Sequence, residues 1–524
     1  MIRVGEIKLA IGESETLLKE KIRKKLHIHS ADIIEQRIYK KALDARRKEE
    51  IQYVYTVDIK VKNEKKILEH TKGKNITITP DMTYYFPQGK SSLKTRPVVV
   101  GFGPAGMFAG LLLAEMGLCP IILERGEEVD KRTKTVEDFW QGKGLNSESN
   151  VQFGEGGAGT FSDGKLTARS KDIRCRKVLE EFAEAGAPAE ILYNNKPHIG
   201  TDKLKEVVKN IRKKIIALGG EIYFESKVTD FKIIDGKIKA VVVNESERIN
   251  TDAVILAIGH SARDTFELLY KRGVYMEQKP FAMGVRIEHP QEMINTAQYG
   301  ALAKKLPPAD YHLTYTTSKG RGVYTFCMCP GGYVVGAASE KGKIAINGMS
   351  EYKRDGINAN SALLVQVFPQ DFGSEHPLAG IQLQRTLEEK AFQKGEGFAP
   401  IQLVGDFLKG EVSQNLGEVK STYRPKTTFC NIKEILPEYM TEALQEAIVE
   451  FGKKLKGFDR EDAVLTAIES RSSSPVRIVR NRERECVSVE GLYPTGEGAG
   501  YAGGIVSAAI DGVIAAEKVF QKGK

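Results

Sequence analysis

The stretch Val98-Val99-Val100-Gly101-Phe102-Gly103-Pro104-Ala105-Gly106, with Ile121-Ile122-Leu123-Glu124-Arg125 after it, decides the reading of this 524-residue chain. An apolar strand meets three glycines spaced G-x-G-x-x-G, a helical stretch follows over Met107 to Met116, and a second apolar strand ends in a carboxylate. Each part has a mechanical job in holding a dinucleotide. Gly101 permits the tight turn, Gly103 lets backbone N–H groups reach a pyrophosphate, and Gly106 lets helix and strand pack closely. Pro104 and Ala105 lie between these glycines, and the N-terminus of the helix that follows offers partial positive charge to phosphates. Glu124, followed by Arg125, is placed to accept hydrogen bonds from a ribose diol and to repel a 2′-phosphate. A bare G-x-G-x-x-G is weak evidence, but its setting between strand and helix, with the acid at the next strand end, makes it specific.

The rest of the chain has room for two or three domains with real cores. Hydrophobic residues at 41% and charged residues at 28% fit a soluble globular protein. The start, Met1 to Glu6, lacks the apolar core of a signal peptide, and no apolar run is long enough to span a bilayer. Six cysteines do not make a disulfide scaffold, so a cytoplasmic location without membrane contact is expected. The formal charge of +9 sits entirely in front of the glycine motif. Residues 1–96 hold 22 Lys and Arg against 13 Asp and Glu, which leaves 56 of each beyond. Such a basic segment is either an electrostatic footprint for a polyanion or a lysine-rich solvated surface.

Residues 1–95 read as a small basic α+β unit, with strands at Arg3 to Ala10 and Tyr53 to Ile59 and a helix over Glu13 to Leu26. The polar run Gln88 to Arg96 reads as a linker. From Pro97 to about Asp264, strands and helices alternate as a parallel α/β sheet requires. They include an amphipathic helix over Leu204 to Leu218, a hairpin turning at Asp235-Gly236, and a buried strand from Ala253 to Gly259. Strands, tight turns and loops are expected from Lys279 to about Thr428, and helix over Glu434 to Gly457. The dinucleotide fold resumes at Gly491. The expected layout is a discontinuous Rossmann-like domain, 96–264 and 486–524, interrupted by a mixed α+β substrate domain, 265–485.

A second glycine-rich element runs from Gly491 to Ile505, including Gly496-Glu497-Gly498 and Gly503-Gly504, and leads into an alanine-rich helix through Ala516. Glu497 can bond a polyol, and the Gly503-Gly504 backbone and helix start can approach a pyrophosphate or a ring carbonyl. In order and spacing, the glycine motif with Glu124-Arg125, the strand end Ala257-Ile258-Gly259 and the Gly496-Glu497 segment resemble the FAD-binding signatures of the glutathione-reductase-like flavoproteins. The chain is most similar to the bacterial FAD-dependent dehydrogenases of about this length that carry a small extra N-terminal domain. Ser149 to Leu166 and Phe326-Cys327-Met328-Cys329-Pro330-Gly331-Gly332 share in that resemblance.

The resemblance implies an FAD/NAD(P)-binding fold of the α/β class and an FAD-dependent oxidoreductase. It places Gly101, Gly103 and Gly106 at the FAD pyrophosphate, Glu124 at the adenosine ribose and the Val228 backbone at adenine. Glu497 would face the ribityl chain, where the superfamily usually has aspartate, and Gly504 and Ile505 the pyrimidine edge of the flavin. Pro104, Ala105, Arg125, Gly259, Gly496 and Gly503 complete the expected cofactor contacts. No second strand-G-x-G-x-x-G-helix unit follows Gly259. NADH or NADPH would then bind only transiently at the flavin face as reductant, or the substrate itself would supply the electrons.

The chemistry has several candidates. The glycine-dense loop Phe153 to Leu166 reads as packed against a ligand, with Lys165 placed to stabilise negative charge on reduced flavin. Cys327 and Cys329, two apart in a strand, are expected on one face as packed thiols, a redox pair or a metal half-site. No Cys/His set completes a metal site, and Cys329 is the better functional candidate. His260, at a strand end, is the expected proton donor, although His260 or Ser261 can equally cap the helix that follows. Arg471 and Arg477 lie in a hydroxyl-rich run that is either an anion-binding edge of the site or a solvated loop. The expected partner is a small-molecule substrate. Two rival readings are a flavoenzyme that modifies RNA held by residues 1–95 and a non-catalytic flavin-binding redox sensor.

Overall fold

The protein is described here by a computed structural model covering residues 1–71, 75–89, 91–168 and 170–522. Lys90, in the expected linker, lies outside the described residues.

Strands Val98–Val100, Ile121–Leu123, Glu221–Tyr223, Val254–Leu256 and Leu492–Pro494 form one parallel sheet. Numbered along the chain, their spatial order is 3-2-1-4-5, the doubly wound arrangement. The connections diverge between the first and fourth strands, and ligands bind beyond the strand ends at such a point. Helix Pro104–Glu115, buried nearly all round, packs on helix Ile505–Gln521. Small residues permit the approach: a Cβ on Gly512 would stand 2.1 Å from the Ala105 carbonyl oxygen.

The largest sheet has seven strands, built entirely from Phe281–Pro290, Thr314–Thr316, Gly322–Cys329, Asn358–Val367, Ala399–Leu403, Thr427–Phe429 and Val464–Glu469. Helices Gln291–Tyr299, Ala379–Lys394 and Glu438–Lys454 accompany it. The 16-residue helix Ala379–Lys394 falls where strands and loops were expected. Its inward face carries Gln384 and Glu388, fully buried polar residues that hide an amphipathic pattern. Strands Met276–Gln278 and Val476–Ile478 pair antiparallel where the chain leaves the parallel sheet and returns to it.

The N-terminal unit is a split βαβ of ferredoxin-like topology. Strands Ile2–Ala10, Ile33–Asp44, Gln52–Val61 and Ile76–Ile78, with helices Leu17–Leu26 and Glu64–His70, give the order 4-1-3-2. Strand Ile33–Asp44 has no apolar alternation, since only Ile33 is buried along this sheet edge. Its far end docks on the neighbouring unit: the Lys41 N–H donates to the Tyr193 carbonyl and the Asn195 N–H to the Lys41 carbonyl. Tyr84 reaches Glu517 at 2.8 Å, so this segment is tied down as well. Among the described residues, no helix is long and apolar enough to cross a membrane.

Candidate functional site

One cleft opens at the C-terminal ends of the parallel strands and extends under the seven-stranded sheet. Its near wall is backbone. Gly101 has φ +97°, and a Cβ there would stand 2.4 Å from the Ala257 oxygen, so the turn closes only with glycine. A Cβ on Gly106 would meet the Gly101 oxygen at 1.9 Å. Gly103 differs: its nearest neighbour would be Gly157 Cα at 3.7 Å, leaving open space above the helix start.

Glu124 is buried, and its carboxylate accepts from the N–H groups of Phe102 (2.8 Å), Gly126 (2.9 Å) and Gly154 (2.9 Å). A carboxylate has about four acceptor positions, so roughly one remains for a ribose hydroxyl. This narrows the expected grip on both hydroxyls of a diol. Arg125 stacks over Phe153 at 4.2 Å and joins Glu148 and Asp264, which Lys227 also engages. Burial opposes charge on Asp264, but Arg125 and Lys227 hold its carboxyl well below the usual range. Val228 lies beside this network in the cleft wall.

The loop after Phe153 is packed. A Cβ on Gly157 would stand 2.9 Å from Gly103 Cα. Arg132, fully buried, donates to the carbonyls of Asn150, Val151, Glu155 and Gly157 and fixes the loop's shape. Burial lowers its pKa to about 10, so it stays charged at neutral pH. Sequence reading missed Arg132, because nothing in a helix of mixed charge distinguishes it from a surface arginine.

At the other end, Gly504 (φ +90°) precedes helix Ile505–Gln521 and lines the cleft with Ile505. Gly496 lies under the cleft, donating its N–H to Asp511, and Gly503 lies outside the lining. His260 lines the cleft near Gly259, with Nδ1 3.6 Å from Glu497 Oε1 and a buried Nε2 that has no partner among the described residues. Neither His260 nor Ser261 caps a helix. The N-cap of Arg263–Lys271 is Ala262, and the Ser261 hydroxyl donates to Gln152 Oε1.

The far wall contains Phe326, Cys327, Ile346, Asn347, Glu469, Arg471 and Ser472. It corrects several expectations. The register breaks between Phe326 and Cys329, and Cys327 has φ +40°. This bulge destroys the two-residue alternation that would have put both thiols on one face. Cys327 lines the cleft, while Cys329 is buried beneath it and points at the Cys327 carbonyl oxygen, 3.2 Å away. Burial pushes the Cys329 thiol up, whereas Cys327 is exposed at the cleft wall. Arg286, fully buried, forms a bidentate pair with Glu469 and donates to the Cys327 carbonyl at 3.2 Å.

Arg471 reaches the cleft edge, but its guanidinium is committed to Glu388 and Ser339. Arg263 binds the same Glu388, which these two cations hold far below the usual carboxylate range despite complete burial. Arg477 lies outside the cleft, facing Tyr501 at 5.5 Å. Lys165 also lies outside it and donates to the Met328 carbonyl. Gly101, Gly103, Pro104, Ala105, Glu124, Arg125 and Val228 thus share the cleft with Gly259, His260, Arg471, Glu497, Gly504 and Ile505. Among the described residues, no cluster of His, Cys, Asp and Glu is arranged to hold a metal.

Two family models match. Residues 280–472 match the FAD-dependent protein, C-terminal domain-like family, the segment that builds the seven-stranded sheet and far wall. Residues 1–60 match a domain of unknown function. An uncharacterized protein of Clostridium beijerinckii is 54% identical over 527 residues, covering 99% of each chain. Among solved structures, a flavin-dependent brominase is 13% identical with a TM-score of 0.38, covering 82% of this chain and 79% of its own. Glycine oxidase from Bacillus cereus is 11% identical with a TM-score of 0.33, covering 82% and 96%.

Proposed function

The chain belongs to the family of the Clostridium beijerinckii protein, and on that footing we propose that it is an FAD-dependent oxidoreductase. The observation that carries this reading is the single cleft shared by the glycine turn at the strand divergence and the sheet that matches an FAD-dependent family.

The residues present fit the cofactor. Open space over Gly103, beside the start of helix Pro104–Glu115, suits a pyrophosphate. The remaining acceptor position of Glu124 suits one ribose hydroxyl, and Val228 borders the adenine end. Gly504, Ile505 and the unpartnered Nε2 of His260 surround the opposite end, where an isoalloxazine belongs. Bound FAD would supply two-electron hydride chemistry.

The protein's own part is orientation and proton handling. His260, the proposed proton carrier, has Nδ1 3.6 Å from the Glu497 carboxylate and an Nε2 with no partner among the described residues. The Arg286–Glu469 pair fixes the Cys327 carbonyl and hence the wall facing the cofactor. Arg471 and Arg263 balance Glu388 and hold helix Ala379–Lys394 to the cleft. NADH or NADPH remains the proposed transient reductant.

The test is the visible spectrum of the purified protein, followed anaerobically during addition of NADH and then NADPH. A flavin band that bleaches within seconds fits a nicotinamide-fed reductase. A stable yellow protein directs the search to a substrate that donates electrons. A colourless protein that takes up no added FAD sinks the proposal.

A further inference from the structure

The ribbon of Met276–Gln278 and Val476–Ile478, which carries the chain out of the parallel sheet and back, has two unlike faces. Met276, Val476 and Ile478 are buried beneath it. Glu277 stands opposite Arg477 in the register, and the Lys279 N–H extends the pairing by donating to the Pro475 carbonyl. Glu277, Lys279 and Arg477 therefore share the outer face.

Neither cation on that face has an anion. Among the described residues, Arg477 makes no hydrogen bond or ion pair, and its buried Nε has no acceptor. Its guanidinium stands 5.5 Å from the Tyr501 ring. Glu277, its cross-strand neighbour, accepts instead from the Tyr275 hydroxyl at 3.3 Å. The Lys279 ammonium reaches the Pro280 and Ser474 carbonyls, each 3.5 Å away. Burial and the like charge of Arg477 lower the Lys279 pKa, although Glu497 pulls the other way. By contrast, Arg125, Arg263, Arg286 and Arg471 each hold a carboxylate. Two neighbouring cations, one with a buried donor unanswered, form a place that an external anion completes.

This ledge abuts the expected flavin end of the cleft. A Cβ on Gly500 would stand 3.0 Å from Arg477 Cα, and the Ser474 hydroxyl lies 3.3 Å from the Gly498 carbonyl. The same loop carries Glu497, which lines the cleft, and ends at Gly504. Its Tyr501 is 40% exposed and offers a ring on which a nucleotide base can stack. The sequence holds one dinucleotide-binding unit, so the phosphates of a second dinucleotide need cations outside it.

We propose that Lys279 and Arg477 form a phosphate ledge for the nicotinamide nucleotide that reduces the flavin, holding its pyrophosphate or 2′-phosphate at the rim while the nicotinamide enters past Glu497. The assignment rests on the FAD reading of the cleft. A hydride, one proton with two electrons, leaves the dihydronicotinamide, which becomes the nicotinamide cation, and oxidised FAD takes it up. Arg477 thus acts on an anion at the rim and not inside the cleft.

The test is equilibrium dialysis of the FAD-saturated protein against ADP-ribose and, separately, 2′-phospho-ADP-ribose. These fragments carry the reductant's phosphates without its nicotinamide, and bound FAD closes the glycine turn to them. At least one fragment should bind, and Lys279→Met or Arg477→Met should weaken it about tenfold, the loss of one charge-assisted bond. Lys279→Arg should retain it. Tighter binding of the 2′-phospho fragment assigns the 2′-phosphate, and equal binding of the two assigns the pyrophosphate. A yellow wild-type protein that binds neither fragment, or binding unchanged by both methionine variants, overturns the ledge. Inorganic phosphate that binds where neither fragment does points to a phosphorylated substrate and overturns it as well. The flavin band reports whether each variant is folded. A colourless wild-type protein that takes up no FAD overturns the FAD reading itself, whatever the fragments do.

Discussion

On one side of the cleft, Gly101, Gly103 and Gly106 present bare backbone from six consecutive residues, and two of them pack with no room for a Cβ. On the opposite side, Cys327 and Asn347 come from one stretch and Glu469 and Arg471 from another more than a hundred residues further on, and buried ion pairs hold them. The first wall is a local device, whose shape follows from which residues lack side chains. The second is a network in which the charge of each member matters only through its partners. Damage to the first should therefore be steric and position-specific, and damage to the second electrostatic and spread across elements.

The largest effect expected is at Glu388. Glu388→Ala leaves Arg263 and Arg471 buried beside a missing anion, and chemical denaturation should show a loss of about 3–5 kcal/mol. A loss below about 1 kcal/mol would mean that water or rearrangement already compensates these charges, and the contrast between the walls would weaken. The glycines sharpen it further. Gly106→Ala drives a methyl to 1.9 Å from a backbone oxygen and should cost about 3 kcal/mol. Gly103→Ala enters open space, so stability should change by less than about 0.5 kcal/mol. On the proposed reading it should nevertheless weaken FAD binding at least about tenfold by equilibrium dialysis, because the methyl would enter the space proposed for the pyrophosphate. Equal effects of the two alanines on folding would break the division between packing glycine and ligand glycine.

Glu155 gives a smaller, pH-dependent effect. Burial raises its carboxyl to about 7, although the Val129 N–H and Arg212 pull the other way. Between pH 4.5 and 7 the folded state holds a proton that the unfolded state has released, so stability falls as pH rises through this window. Glu155→Gln keeps an acceptor for the Val129 N–H and should flatten the fall, adding about 1–3 kcal/mol above pH 7. Melting temperature against pH reads this directly. A wild-type profile with no decline over that range removes the basis for the effect.

The residues legible in the sequence were those whose job depends on neighbours along the chain. The hairpin turn at Asp235-Gly236 has φ +50° and +71°, as its dipeptide indicates, and the alanine-rich helix after Gly504 packs as its small residues suggest. Strand Ile33–Asp44 and helix Ala379–Lys394 were not legible. The first is an edge strand supported by pairing, and the second buries charge that only distant partners neutralise. Cys327 and Cys329 show the limit most clearly. A two-residue spacing fixes a common face only while the strand stays regular, and the bulge that separates them has no marker in Phe326 to Cys329.

By itself, the sequence determined the glycine turn, the acid at the end of the next strand and the helices that flank them. These are set by backbone conformations that few residues can adopt and by spacing within one supersecondary unit. Only the tertiary structure decided that Arg471 is neutralised, that Cys327 and not Cys329 lines the cleft, and that Lys165 lies outside it. Charge pairing and burial depend on which distant segments meet, and no local pattern encodes that meeting.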